Sequence, residues 1–248
     1  MSGHSKWAQI KRQKGAADAK RGQLFTKLGR EIAVAAREGA DPAANARLRI
    51  AIQRARDANM PMDTIDRAIK RGAGAGEGVN YEEIAYEGYG PNGVAILVQA
   101  LTDNRNRTAA EVRSVFHRGG GNLGESGSVR WIFEPKGEVA VALDGRDPDE
   151  IALLAIDAGA DDVQVAEDEL AVYTDPAHVE AVRDALETAG LHVLASGTEM
   201  IPSTSVPLDE ASAEQTMRLI ERLEELDDVQ SVYSNSEITD EVATAIAT

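Results

Sequence analysis

Cysteine is absent from the 248 residues, which excludes disulfides, thiolate-held zinc and a thiol nucleophile, and fits a reducing compartment. Aromatic residues are only 4% of a chain that is 43% hydrophobic, so its cores must be built from Ala, Val, Ile and Leu. No apolar run approaches the roughly 20 residues that a membrane-spanning helix needs. The basic N-terminus is not followed by the uninterrupted apolar stretch of a secretory signal. A cytoplasmic protein with no membrane partner is expected. The scarcest feature is positive charge late in the chain: residues 134–248 hold five Lys or Arg against twenty-eight Asp or Glu.

The cations lie at the other end. Nine of the first 37 residues are Lys or Arg, opposed only by Asp18 and Glu31, and residues 1–80 hold sixteen basic and eight acidic residues. The whole chain nevertheless carries −16. A basic end in front of an acidic remainder meets a polyanion with that end only, so nucleic acid is the expected partner. Lys6, Lys11, Arg12, Lys14, Lys20 and Arg21 have few acids nearby, and Lys27 and Arg30 extend the set. Trp7 sits among them, where a ring can stack on unpaired bases while the cations take phosphates; packing against the helices that follow is its other reading. With little to bury, residues 1–20 are expected to form a mobile arm that orders on a partner.

From Leu24 the pattern is helical, with Leu24, Leu28, Ile32 and Ala36 on one stripe closed by Gly39. Asp41-Pro42 is the expected opening of a second helix with Leu48, Ile52 and Ala55 inside. A third follows Pro61, carries Ile65, Ala68 and Ile69, and is expected to end at Gly72. Residues 72–80, GAGAGEGVN, read as a linker. The period then changes to two: a strand through Ile84 and Tyr86, a Gly90-Pro91-Asn92-Gly93 turn, and an apolar, central strand from Val94 to Thr102. A helix to about Arg118 is expected from caps in Asp103–Asn106 and from the capping-box spacing of Thr108 and Glu111. A glycine-rich loop then leads to a strand at Val129–Phe133. Residues 138–200 read as βαββαβ, the ferredoxin-like order, followed by a helix at about 211–226 and a strand at Val229–Tyr233. The expected fold is α+β with three domains: a basic arm and three-helix bundle (1–78), a discontinuous α/β domain (79–136 with 202–248), and an inserted ferredoxin-like domain (137–201).

Arg105, Arg107, Arg113 and Arg118 make a second candidate basic patch, weakened by Glu111. Gly119–Gly124 lacks the lysine of a P-loop, having Glu125 instead. Ser126 lacks the later glycine of a nucleophile elbow. Gly90–Gly93 fits a hairpin turn better than the GXXG of a KH domain, and Asp161, Asp162, Glu167 and Asp168 fit a solvated turn better than a cation site. The four histidines have no ligand spacing. No catalytic constellation, metal site or cofactor is expected, and the protein is expected to be a monomer rather than an enzyme assembly.

Gly3-His4-Ser5-Lys6-Trp7-Ala8, Asp18-Ala19-Lys20-Arg21-Gly22 and Phe25-Thr26-Lys27-Leu28 resemble the opening of the YebC family. The resemblance continues through Tyr86-Glu87-Gly88-Tyr89-Gly90-Pro91, Thr102–Thr108 and Asn122–Val129, and so covers the whole length. The family is similar to the mitochondrial translational activator of cytochrome c oxidase. The resemblance implies a three-domain fold, and either a DNA-binding transcriptional regulator or a translation factor acting on ribosomes, including those stalled on proline runs. The lack of a clear helix-turn-helix with a polar recognition face and four-residue turn, and a glycine-containing basic arm suited to irregular RNA, favour ribosomal RNA over duplex DNA. A protein-binding adaptor working through the acidic domains is the remaining alternative.

Overall fold

The computed structural model describes residues 18–74, 81–166, 168–239 and 242. Helix α1 spans Asp18–Ala35 and runs on into a 3₁₀ turn, Ala36–Glu38. Helix α2 is Ala46–Asp57 and α3 is Met62–Ala73. Leu28, Ile32, Ala35, Leu48, Ile52, Ala55, Met60, Ile65 and Ala68 form their common core. Helix α1 starts well before Leu24, and Leu24 itself is 41% exposed, so the buried stripe begins at Leu28. Gly22 and Gly29 each cost the helix about 1 kcal/mol, which packing of the later turns offsets.

Two expected helix ends are also corrected. Asn45, not Asp41, caps α2: its Oδ1 accepts from the Leu48 amide at 3.0 Å, and its Nδ2 donates to Ala35 O and Gly39 O at 2.7 and 2.8 Å. One buried side chain thus satisfies the end of α1 and the start of α2, whereas Asp41 closes only a local turn onto Ala43. Gly72 is not the end of α3 but lies inside it, where a Cβ would overlap the backbone carbonyl of Ala33 in α1. Gly72→Ala should therefore lower stability by about 1–3 kcal/mol, although alanine is the better helix former. An unfolding midpoint at or above wild type would show that α1 and α3 do not approach so closely.

The next elements are β1 (Glu82–Tyr89), β2 (Ala95–Thr102), α4 (Arg105–Arg118) and the short β3 (Asn122–Leu123). Backbone contacts then separate a second compact unit, Glu134–Ile201, from the chain on either side of it. This unit holds most of β4 (Phe133–Ala142), then α5 (Pro148–Asp157), β5 (Asp162–Val165), β6 (Glu169–Thr174), α6 (Val179–Thr188) and β7 (Val193–Pro202). Its sheet order is β5-β6-β4-β7, the ferredoxin-like arrangement, and Val139, Val141, Ile151, Leu170, Val172, Val182 and Leu186 fill its core.

The chain returns with β8 (Val206–Pro207), α7 (Glu210–Glu224), β9 (Val229–Ser234) and β10 (Ser236–Glu237). Strand β9 pairs with β2 and completes an antiparallel sheet of order β3-β1-β2-β9. Helices α4 and α7 cover one face, through Val112, Val115, Phe116, Leu219, Ile220 and Leu223 against Ile96, Val98 and Val232. Strand β2 is central because its residues are buried on both faces. The architecture is α+β: a helical N-terminal region with antiparallel sheets.

Residues 129–132 are not the expected strand. They form a 3₁₀ turn, Arg130–Ile132, because the Glu87 carboxylate takes amides that a strand would offer to a neighbour. Nor do Thr108 and Glu111 form a capping box. Asn104 caps α4 by accepting from the Arg107 amide at 3.1 Å, and Thr108 is fully buried one turn inside.

Candidate nucleic-acid interface

Lys6, Trp7, Lys11, Arg12 and Lys14, the heart of the candidate contact set, lie outside the described residues, as does the expected mobility of that arm. Lys20 lies in α1, outside the residues whose side chains are described, and Arg21 is exposed on the first turns of that helix. Lys27 and Arg30 do something other than expected. Lys27 Nζ donates to Glu224 O at 2.5 Å, and an Arg30 guanidinium nitrogen donates to Asp227 O at 2.6 Å. Gln23 Nε2, one turn earlier, donates to Glu225 O at 2.5 Å. These three residues stand on one face of α1, and their acceptors lie at the C-terminal end of α7. Carbonyls there have no partner within the helix and carry the negative end of its dipole. Both cations are thus tethers between the helical region and the sheet, and they leave the candidate contact set.

The tether leads to a buried carboxylate. Asp228 lies in the turn between α7 and β9 and is 3% exposed. Its Oδ1 accepts from Arg30 at 3.1 Å; its Oδ2 lies 2.6 Å from an Arg107 nitrogen, 3.0 Å from Thr102 Oγ1 and 2.7 Å from Thr108 Oγ1. Four side chains from α1, β2 and α4 therefore meet at one acid. Burial pushes the Asp228 carboxyl up, but the hydrogen bonds from Arg107, Thr108 and Thr102 outweigh it and hold the group below the usual carboxylate range. Arg107, shared with Asp103 at 2.8 Å, is accordingly a structural residue, and it too leaves the basic patch. Further contacts between the same lobes run from Arg37 to Tyr81 O, from Arg47 to Glu83, and from the Arg30 guanidinium over the Tyr81 ring at 5.7 Å.

What remains of the second patch is Arg105, Arg113 and Arg118, all exposed on α4. Arg105 lies 3.7 Å from Glu82, and Arg118 donates to Ser114 O at 3.3 Å. Arg113, Ser114 and His117 line a cleft of about 420 Å³ whose far wall is Gly121, Asn122 and Leu123. The glycines shape that wall. A Cβ on Gly121 would crowd Tyr89 O at 2.6 Å, and Gly120 adopts a left-handed φ of 79°. They serve as a helix end and tight turn.

A second buried carboxylate, Glu87, organises the adjoining loop. It is 5% exposed. Its Oε1 accepts the Gly127 amide at 2.7 Å, while Oε2 accepts those of Val129 and Arg130 at 2.8 and 2.7 Å. Burial again pushes the pKa up, and the three amide hydrogen bonds with the nearby Arg130 charge hold it below normal. Neither acid stands out as a site in the chain. Asp227-Asp228-Val229-Gln230 repeats Asp161-Asp162-Val163-Gln164, yet Asp162 is exposed and Asp228 is buried. Among the described residues no group of three or more His, Asp or Glu is placed to hold a metal ion, and no helix is long and apolar enough to cross a membrane.

These features define a class of α+β protein in which a basic helical region is latched through a buried carboxylate to a sheet domain, with a ferredoxin-like unit inserted into that domain's chain sequence. The chain belongs to the TACO1/YebC family: the family's N-terminal domain matches residues 5–75, and its second and third domain match residues 81–236. A probable transcriptional regulatory protein of Thermomicrobium roseum is 54% identical over 248 residues, covering 99% of this chain and 100% of that protein. One from Roseiflexus castenholzii is 56% identical, covering 98% of each. The crystal structure of a conserved hypothetical protein, Aq1575, from Aquifex aeolicus matches with a TM-score of 0.83 at 48% identity, over 90% of this chain and 93% of that one.

Proposed function

We propose that this protein is a regulator of gene expression that binds nucleic acid through its basic N-terminal end, and that its target is RNA on the ribosome, where it assists translation. The observation that carries this reading is the segregation of charge: net +8 over residues 1–80 against −24 over the rest. The acidic remainder repels a polyanion, so phosphate contacts concentrate at one end. The tethers from α1 to α7 add a physical role for Lys27 and Arg30, because they anchor the helix that follows the arm.

Regulation of transcription on duplex DNA is the second reading. It is favoured by what the relatives are called, and by one correction to the sequence-based argument: α2 and α3 are joined by a four-residue turn, Ala58–Pro61, with Asn59 at a left-handed φ of 58°. Against it, the first turns of α3 expose Met62, Asp63 and Asp66. A recognition helix reads bases with those positions, and two carboxylates there oppose the phosphates on either side.

If six arm cations contact phosphates of irregular RNA, the slope of log K against log salt should be near −4, at about −0.7 per contact. Lys11, Arg12 and Lys14 all changed to Glu should flatten it by about 2 and leave the unfolding midpoint unchanged. Co-sedimentation with ribosomes, set beside retention on duplex DNA at near-physiological salt, separates the two readings. Ribosome binding by the triple variant as tight as wild type would remove the arm as the interface.

A further inference from the structure

Trp131 is 70% exposed, the most open large apolar side chain among the described residues, and Tyr89 is 38% exposed. The two rings are tied to the same atom. Trp131 Nε1 donates to Ser128 O at 3.1 Å, and Tyr89 Oη donates to it at 3.0 Å. Tyr89 lies on the sheet face opposite α4 and α7, since Gly88, the next residue along β1, is the one whose Cβ would meet Phe116. Glu87, on the same face as Tyr89, locks the loop that carries Ser128 and Trp131 through its three amide hydrogen bonds. Gly124 closes the loop from behind: its amide donates to Glu87 O at 2.8 Å, and a Cβ there would strike Ser128 Oγ.

This is a preorganised arrangement. Each ring has its one polar group satisfied by backbone, so what it offers to solvent is π surface held in place before any ligand arrives. Arg130, the adjacent cation, donates to Phe133 O at 2.9 Å, so the rings rather than a free guanidinium are the recognising element. In the loop itself the exposed neighbours are Glu125, Ser126, Gly127 and Arg130, with no open aliphatic side chain. A protein-binding hot spot buries its aromatics amid apolar neighbours, and this surround is polar. Two exposed aromatic rings in a polar frame suit the bases of an unpaired strand; a duplex keeps its bases stacked inside.

We propose that Tyr89 and Trp131 form a stacking platform for unpaired bases of single-stranded RNA. The proposal rests on the nucleic-acid reading above and adds a second contact remote from the arm in sequence.

The chain has two tryptophans, so Trp7→Phe in the full-length protein leaves Trp131 as the only indole reporter. Titration with a single-stranded RNA of about ten nucleotides should quench that emission, and a duplex DNA of equal length should not. In the otherwise wild-type chain, Trp131→Ala should weaken RNA binding roughly tenfold or more, with Trp131→Phe retaining most of the affinity. The salt slope should be unchanged, because no phosphate contact is lost, and so should the unfolding midpoint. Wild-type RNA affinity in Trp131→Ala together with unquenched Trp131 emission would overturn the platform while leaving the arm's role intact. If the wild-type chain binds neither the RNA nor ribosomes, the RNA reading fails and the platform with it.

Discussion

Asp228→Ala is expected to destabilise the protein by about 2–4 kcal/mol, because the buried acceptor of four side chains is removed and two buried hydroxyls lose a partner. The carboxylate is the common acceptor for Arg30, Arg107, Thr102 and Thr108. Its loss leaves Arg30, whose side chain is 18% exposed, and two fully buried hydroxyls without it. For a protein of this size the unfolding midpoint should fall by about 10 °C. Asp228→Asn should recover only part of that, because an amide turns an N–H toward groups that are themselves donors. The pH dependence gives an independent check. The folded-state pKa is held below its ordinary value, so the carboxylate's contribution is complete above about pH 4 and is lost as pH falls through the folded value. The wild type should therefore lose more stability than Asp228→Ala on acidification from neutrality to about pH 3. Parallel pH profiles for the two proteins, or a midpoint within 2 °C of wild type by a rough reading of the same scaling, would show that Asp228 is not the junction.

Glu87→Ala is expected to cost about 2–4 kcal/mol, because the Gly127, Val129 and Arg130 amides lose their acceptor and the Val129 amide is buried. Glu87→Gln should cost about 1–3 kcal/mol: both carboxylate oxygens accept, and the amide can offer only one acceptor end. Its pH sense matches that of Asp228, since the Glu87 pKa is also lowered; the stabilisation is present above the ordinary carboxylate pKa and disappears below the folded one. The two acids differ in what else they disturb. Unlocking the loop should also free the Trp131 ring, seen as faster amide exchange over residues 124–131 and a lower Trp131 fluorescence anisotropy in the Trp7→Phe background. An Asp228 variant should leave both signals unchanged. Slow exchange throughout that loop in Glu87→Ala would show that the chain there holds its shape without the carboxylate.

Much of the fold follows from local pattern. The three-helix region, central β2, the βαββαβ order of residues 138–200 and the last helix and strand are all legible, because a period of 3.6 or 2 and a turn residue act within a few positions. The errors fall where a distant group intervened. Asp41 has the form of an N-cap, but Asn45 reaches two helix ends at once. Gly72 has the form of a C-cap, but it lies inside α3 at a spot where α1 comes too close for a Cβ. Thr108 has capping-box spacing, and the buried Asp228 claims its hydroxyl. Residues 129–132 have strand composition, and Glu87 takes their amides.

The candidate site divides in the same way. Composition alone determined that cations gather at one end and acids at the other, since net charge is a sum that folding does not alter, and it determined that no thiol chemistry is available. Which cations face solvent was decided only by the tertiary structure. Arg21 and Arg30 belong to one helix and look alike in the chain, yet Arg30 bonds to Asp228 across a separation of 198 residues and Arg21 is exposed. Asp162 and Asp228 stand in identical four-residue contexts, one in water and the other buried among side chains from two helices and one strand of other segments. Trp131 carries no local mark of function; its importance comes from sharing one carbonyl with Tyr89. Charge balance and helical period are properties of neighbours, whereas burial and pairing depend on which remote segments the folded chain brings together.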